Sequence, residues 1–215
     1  MSLFAVVLAL AAPSSDPVFV DQIPAGPVSR ITQSGSGNAA TVTQSGGPQI
    51  AIVRQSGANN TAGVTQDGVR LRAAIVQNGS VNHATLSQQG QGAEAALLQS
   101  GNGNTARLDQ AGTGITNEIV ALQRGSGNAL ELSQSGGANR VNGVQRGSDN
   151  TTRLSQTGDF NSFSYVQDGQ GNALDFAQRG YNAGSVTQQG NGLALSMTQG
   201  AGAAPVQILQ TGTGG

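Results

Sequence analysis

The 215-residue chain has no cysteine, no tryptophan and no lysine, one histidine, and only 3% aromatic residues. Without cysteine there is no disulfide framework, no thiolate chemistry and no Cys-based metal site. A single histidine cannot supply a multi-His metal centre. Charged residues make up 10% and the formal net charge is −1, with all ten basic residues arginine and none clustered. Such a chain is a poor binder of nucleic acid or of an anionic membrane surface. So few aromatics, with 36% apolar residues, argue against an ordinary globule with a thick core. What is abundant is Gly (33), Gln (24) and Asn (16). Composition alone describes a disordered, β-aggregation-prone chain. The order of the residues makes it a fold.

At the amino terminus, Ser2 to Ala12 form an apolar run of 11 residues, too short to span a bilayer. It suits the apolar region of a secretory signal peptide, and Ala9-Leu10-Ala11 is an A-x-A-like cleavage site. The basic region that opens most signal peptides is missing. A short buried strand or helix is the competing reading. Residues 1–12 are therefore read as signal-peptide-like. Residues 13–32, with Pro13, Pro17, Pro24 and Pro27, are read as a flexible leader.

From Gln33 onward a Gln recurs at 17 regularly spaced positions, followed two residues later by Gly in 16 of them. Fourteen of the sixteen intervals are eleven residues long; one is thirteen (Gln110 to Gln123) and one is ten (Gln178 to Gln188). Only the Gln199 unit breaks the Gly rule, with Gly200 one place early. Two residues before each Gln sits Val, Leu or Ile in most units, four before it Ala in seven successive units (Ala40 to Ala106), and six before it Asn in eleven. The pattern N-x-A-x-φ-x-Q has period two, the signature of a strand with one buried face. The following Q-x-G-x segment suits a tight turn. Each unit reads as about seven residues of strand and four of turn. One unit cannot bury its apolar face; stacked units can.

Stacking puts identical positions above one another at about 4.8 Å. Inward amides then form ladders, each donating to one neighbouring coil and accepting from the other. The ladder positions are Gln33, Asn38, Gln44, Gln55, Asn60, Gln66, Gln77, Asn82, Gln88, Gln99, Asn104, Gln110, Gln123, Asn128, Gln134, Gln145, Asn150, Gln156, Gln167, Asn172, Gln178, Gln188, Gln199 and Gln210. The turn glycines are Gly35, Gly46, Gly57, Gly68, Gly79, Gly90, Gly101, Gly112, Gly125, Gly136, Gly147, Gly158, Gly169, Gly180 and Gly190.

The outward positions double the period. One residue before alternate Gln sits a polar residue (Thr43, Thr65, Ser87, Asp109, Ser133, Ser155), whereas the other units carry mainly apolar ones. One sheet is therefore wet outside. The other carries an apolar stripe through Ile52, Val76, Leu98, Val120, Leu122, Val144 and Val166, fading at Thr187. The expected fold is all-β: a parallel β-solenoid of about eight 22-residue coils over residues 33–209, two strands per coil, on the order of 40 Å long. A Gly-rich tail of residues 210–215 follows. The extra residues near Thr113 to Thr116 read as an enlarged turn, the loss near Tyr181 as a shortened one. Inward residues become bulkier past Ile119 (Phe163, Leu174, Leu195), so the later coils should be thicker.

Gln33, Gly35, Asn38, Ala40 and Gln44 fill the second part of S-x5-Q-x-G-x-x-N-x-A-x3-Q. So do Gln55, Gly57, Asn60, Ala62 and Gln66, and the sets beginning at Gln77 and Gln99. The repeat resembles the curlin repeat of bacterial curli subunits over about four-fifths of the chain. The Ser that opens the family motif is mostly absent, replaced by Gln49, Leu71, Ala93, Asn139 and Asn161, and the motif Ala becomes Leu130, Thr152 and Leu174. The resemblance implies a two-stranded β-solenoid that crosses the periplasm and outer membrane unfolded. It implies assembly into extracellular amyloid fibres of the cell surface, used in biofilm matrix and adhesion. The implied partners are copies of the chain itself, other curlin subunits, and a curli-type secretion and nucleation machinery.

The physics points the same way. Open strand edges on the first and last coils are templates for another copy, and a head-to-tail contact that does not close builds a filament. The apolar stripe offers a lateral contact. Arg54, Asp67, Asp168 and the Gln-Arg turns at Arg124, Arg146 and Arg179 are positioned as gatekeepers. An enzyme is not expected: His83 occupies an outward position, carboxylates are scattered, and the Gly-x-Gly pairs are turns with no helix after them. No cofactor, metal or membrane span is expected, and Asp does not recur in the register a calcium-binding β-helix needs. The alternative is a non-polymerising secreted adhesin that binds a partner through the apolar stripe. An ice-binding Thr-x-Thr array is less favoured, because Arg107, Asp109, Glu131, Arg153 and Asp175 interrupt the Thr column.

Overall fold

The computed structural model describes residues 7–11, 18–22 and 26–212. The strands are β1 (Val7–Ala11), β2 (Val18–Gln22), β3 (Val28–Ser36), β4 (Ala39–Gly46), β5 (Gln49–Ala58), β6 (Thr61–Ser80), β7 (His83–Asn102) and β8 (Thr105–Ser126). They continue as β9 (Ala129–Gly136), β10 (Arg140–Ser148), β11 (Thr151–Thr157), β12 (Ser162–Gln170), β13 (Ala173–Arg179), β14 (Ala183–Asn191), β15 (Ala194–Gln199) and β16 (Val206–Thr211). Every pairing is parallel, and partners are two repeat units apart: Gln33 on Gln55, Gln44 on Gln66, Gln77 on Gln99. The chain is a parallel β-solenoid of about eight coils, two strands to a coil.

One face holds β1, β3, β5, the second halves of β6, β7 and β8, and then β10, β12, β14 and β16. The other holds β2, β4, the first halves of β6 to β8, and β9, β11, β13 and β15. β6, β7 and β8 run 20, 20 and 22 residues, longer than the seven-residue strands expected. The corner residues share the register, so pairing continues round the bend: Gly57 lies on Gly79 and Gly68 on Gly90. Gly79 shows why the corner needs glycine. Its φ is +117°, and a Cβ there would overlap the Gly101 carbonyl oxygen.

Between the faces lies a thin core of Ala and branched residues: Ala40, Val42, Ala51, Val53, Ala62 and Val64 in the first coils. Towards the carboxy terminus Phe163, Tyr165, Leu174 and Phe176 replace them. Bulk is met by vacancy: a Cβ on Gly143 would collide with the Tyr165 ring, and one on Gly184 would press on Phe163. Phe163 stacks on Phe176 with centroids 4.2 Å apart. The extra residues after Gly112 produce a register shift opposite Gln91 to Ala93, after which Asn117 lies on Ala93. The lost residue brings Ala183 onto Ser162. Both changes sit at corners and leave the strands in step.

The boundaries differ from the sequence reading. Val28 to Thr32, in the segment read as flexible leader, is already strand, as is β2. Val7–Ala11, in the signal-peptide-like segment, pairs with Ser29 to Gln33. The rest of those two segments (residues 1–6, 12–17 and 23–25) lies outside the described residues. Gln210 and Thr211, assigned to the tail, belong to β16; residues 213–215 lie outside the described residues. The physical reason is spacing. Gln22 stands eleven residues before Gln33 and Ala11 eleven before Gln22, each with an apolar residue two places earlier. Pro24 and Pro13 occupy the Gly places and hide the repeat.

Candidate assembly site

Two Gln ladders run the length of the solenoid. Along one face Gln33 Nε2 donates to Gln55 Oε1 (2.7 Å), Gln55 to Gln77 (2.8 Å), Gln77 to Gln99 (2.8 Å), and so on to Gln188 and Gln210 (2.7 Å). Along the other, Gln44 donates to Gln66 (2.7 Å), Gln66 to Gln88 (2.7 Å), and the series ends at Gln178 to Gln199 (2.8 Å). Neither ladder breaks at an irregular corner: Gln99 reaches Gln123 (2.8 Å) over the insertion, and Gln167 reaches Gln188 (2.8 Å) over the deletion. From Gln55 onward the Gln amide nitrogen also clasps a carbonyl of the opposite face. Gln77 Nε2 donates to the Thr61 carbonyl (3.0 Å), Gln88 to Arg72 (2.9 Å). The amides stay satisfied although Gln77, Gln88 and Gln99 are fully buried.

An Asn ladder lines one corner. Asn60 Nδ2 donates to Asn38 Oδ1, Asn82 to Asn60, Asn104 to Asn82, Asn128 to Asn104 and Asn150 to Asn128, each at 3.0 Å. The same oxygens accept the backbone N–H of the next Asn, at 3.2 Å for Asn60 onto Asn38. Each Asn also donates to the corner glycine carbonyl of the following coil, as Asn82 does to Gly101 (2.8 Å). Asn172 continues the column through its backbone N–H to Asn150 Oδ1 (3.1 Å). A second Asn column, not among the ladder positions read from the sequence, lines the other corner: Asn117, Asn139, Asn161 and Asn182. Its signal was present, since Asn stands six before Gln in eleven units, not seven. Two hydroxyls in the Ala column were also not picked out as ladder residues. Ser29 Oγ donates to Gln44 Oε1 (2.8 Å), and Thr152 Oγ1 to Gln167 Oε1 (2.7 Å).

The turn glycines Gly35, Gly57, Gly79, Gly101, Gly125, Gly147, Gly169 and Gly190 stack at one corner, and Gly46, Gly68, Gly90, Gly112, Gly136, Gly158 and Gly180 fall at the other. On the outside, Val76, Leu98, Leu122, Val144 and Val166 lie one above the next, bounded by Arg54 before and Thr187 after. Ile52 and Val120 stand in the column two residues earlier, and Leu98 and Val120 are 38% and 41% exposed. The opposite face carries alternating charge. Arg153 bonds Glu131 (2.9 Å) across a coil boundary, and Arg107 bonds Asp109 (2.7 Å) on its own strand. Those hydrogen bonds and the carboxylate charge raise the pKa of both arginines. His83 is exposed, and among the described residues no three of His, Asp and Glu stand together as a metal site. No helix of the described residues is long and apolar enough to cross a membrane.

The family model of the curlin associated repeat matches residues 57–90 and 82–112, which hold β6, β7 and the corner glycines around them. Residues 57–112 carry curlin associated repeats. No curated protein matches it. The same residue columns continue on both sides of the matched span in the same register, from Gln33 to Gln210. Curlin repeats in a solenoid fold are consistent with a curli-type subunit, and the curlin repeat family is one of structural subunits rather than enzymes.

Proposed function

We propose that this curlin-repeat protein is a secreted structural subunit of extracellular amyloid fibres, serving biofilm matrix, adhesion and aggregation. It assembles by head-to-tail stacking of coils, with its own copies and other curlin subunits as partners and a curli-type machinery for export. One observation carries this reading: the amide ladders run unbroken through every irregular corner, so the internal bonding pattern is also the pattern of a continuing stack. Edge strands then act as templates rather than liabilities. The chain diluted from denaturant should give thioflavin-positive fibres after a lag, and preformed fibres should abolish that lag. A stable soluble β-rich monomer would contradict the proposal.

The apolar stripe favours a second reading, a non-polymerising adhesin whose partner covers Leu98 and Val120. It predicts that charged substitutions such as Leu98→Glu abolish partner binding while the chain stays monomeric.

A further inference from the structure

The first rung of the main Gln ladder is unfinished. Gln33 is 2% exposed, its Nε2 donates to Gln55, and its Oε1 has no hydrogen-bond partner. At every later rung that oxygen accepts from the Gln of the preceding coil. The preceding strand is β1, and its register sets Ala11 on Gln33. Alanine has no amide to donate. An acceptor left unpaired at this depth keeps its desolvation cost, so β1 completes the backbone edge without completing the rung.

β16 lies at the other end of the same face. It pairs with β14, and among the described residues no strand covers its outer edge. Gln210 accepts from Gln188 and donates to the Ala194 carbonyl, and among the described residues no Gln receives its other N–H. In equivalent columns β1 reads Val7-x-Ala9-Leu10-Ala11 and β16 reads Val206-x-Ile208-Leu209-Gln210. The two segments share Val and Leu at two of the five columns and differ at Leu8/Gln207, at Ala9/Ile208, where β16 is larger, and at Ala11/Gln210, where β16 carries the missing amide.

We propose that β1, while it is attached, holds the place of β16 from a second copy of this chain, and that its removal at the Ala9-Leu10-Ala11 site or its exchange for β16 opens the growth edge. The proposal rests on the fibre reading above and specifies its interface. In the joint, Gln210 of one copy donates to Gln33 Oε1 of the next, and Leu209 lies beside Thr32. The stagger closes as well. With β1 displaced, the two faces hold equal numbers of strands, and β2 of one copy completes the coil begun by β16 of the other. Gln22, which lies on Gln44, then falls under Gln199.

Two full-length single-cysteine variants, Thr32→Cys and Leu209→Cys, test the joint, because the chain has no other thiol. Fibres grown from their mixture and then oxidised should contain disulfide-linked heterodimers, and Thr43→Cys mixed with Leu209→Cys should not. Fibres without the Thr32–Leu209 link overturn this interface and leave the fibre reading standing. Absence of fibres overturns both. The placeholder role is read from full-length Ala11→Gln, which supplies the missing donor within the chain. Its lag should lengthen several-fold, and an unchanged or shorter lag overturns that role.

Discussion

Gln66 shows at the residue scale how a polar side chain becomes a structural one. Its amide accepts from Gln44, donates to Gln88 (2.7 Å), and clasps the Ile50 carbonyl of the opposite face (3.2 Å). Leucine in its place keeps the volume and strands two buried partners, each at about 1–3 kcal/mol. We predict that Gln44→Leu with Gln66→Leu slows assembly strongly, whereas the outward Thr65→Ala leaves thioflavin kinetics near wild type; normal kinetics in the double variant would refute the ladder argument. Tyr165 is the opposite case. Its hydroxyl is buried beside Thr152 without a hydrogen bond of good geometry, and burial pushes its pKa up against a smaller opposing pull from Thr152. The folded-state value lies above the unfolded value of about 10, so this group's contribution is complete below about pH 10 and is lost as pH rises further. In a Tyr181→Phe background, tyrosinate absorbance should therefore appear only together with unfolding. Tyr165→Phe should remove that alkaline sensitivity and stabilise the fold by about 1 kcal/mol.

At the scale of the element, the corner decides whether strands become a coil. Gly79 at φ +117° sits under the Gly101 carbonyl, and alanine there meets both backbone strain and overlap. Gly79→Ala should destabilise by about 1–3 kcal/mol and speed amide exchange at the ends of β6 and β7. Gly63→Ala, on an open outer face where a Cβ meets only Thr85 at 3.9 Å, should not. Strands, corners and the main ladders were legible because each column repeats a residue type at fixed spacing. What was not legible lacked that regularity. Gly143 looks like a fault in the apolar column until the Tyr165 ring of the next coil fills its place. β1 and β2 keep the eleven-residue step but put proline in the glycine positions and, at Ala11, a residue without an amide. The second Asn column was counted in the sequence but not separated from the first, because only three-dimensional stacking assigns alternate units to different corners.

For the whole molecule, stability is a sum over neighbouring coils rather than one central core. Each coil touches only the coil before and the coil after, so a further coil from another copy meets the same surface as an internal one. A formal net charge of −1 leaves little long-range repulsion between copies. Fibre growth should therefore vary only weakly with added salt in thioflavin assays, while the exposed Arg153–Glu131 and Arg107–Asp109 pairs contribute little to it. The most direct measurement is X-ray diffraction from aligned fibres of the chain. Stacked solenoid coils predict a reflection near 4.8 Å along the fibre axis and one near 10 Å across it. Fibres with the 4.8 Å spacing perpendicular to their axis, or solutions holding only monomer, would contradict an account in which coils stack end to end.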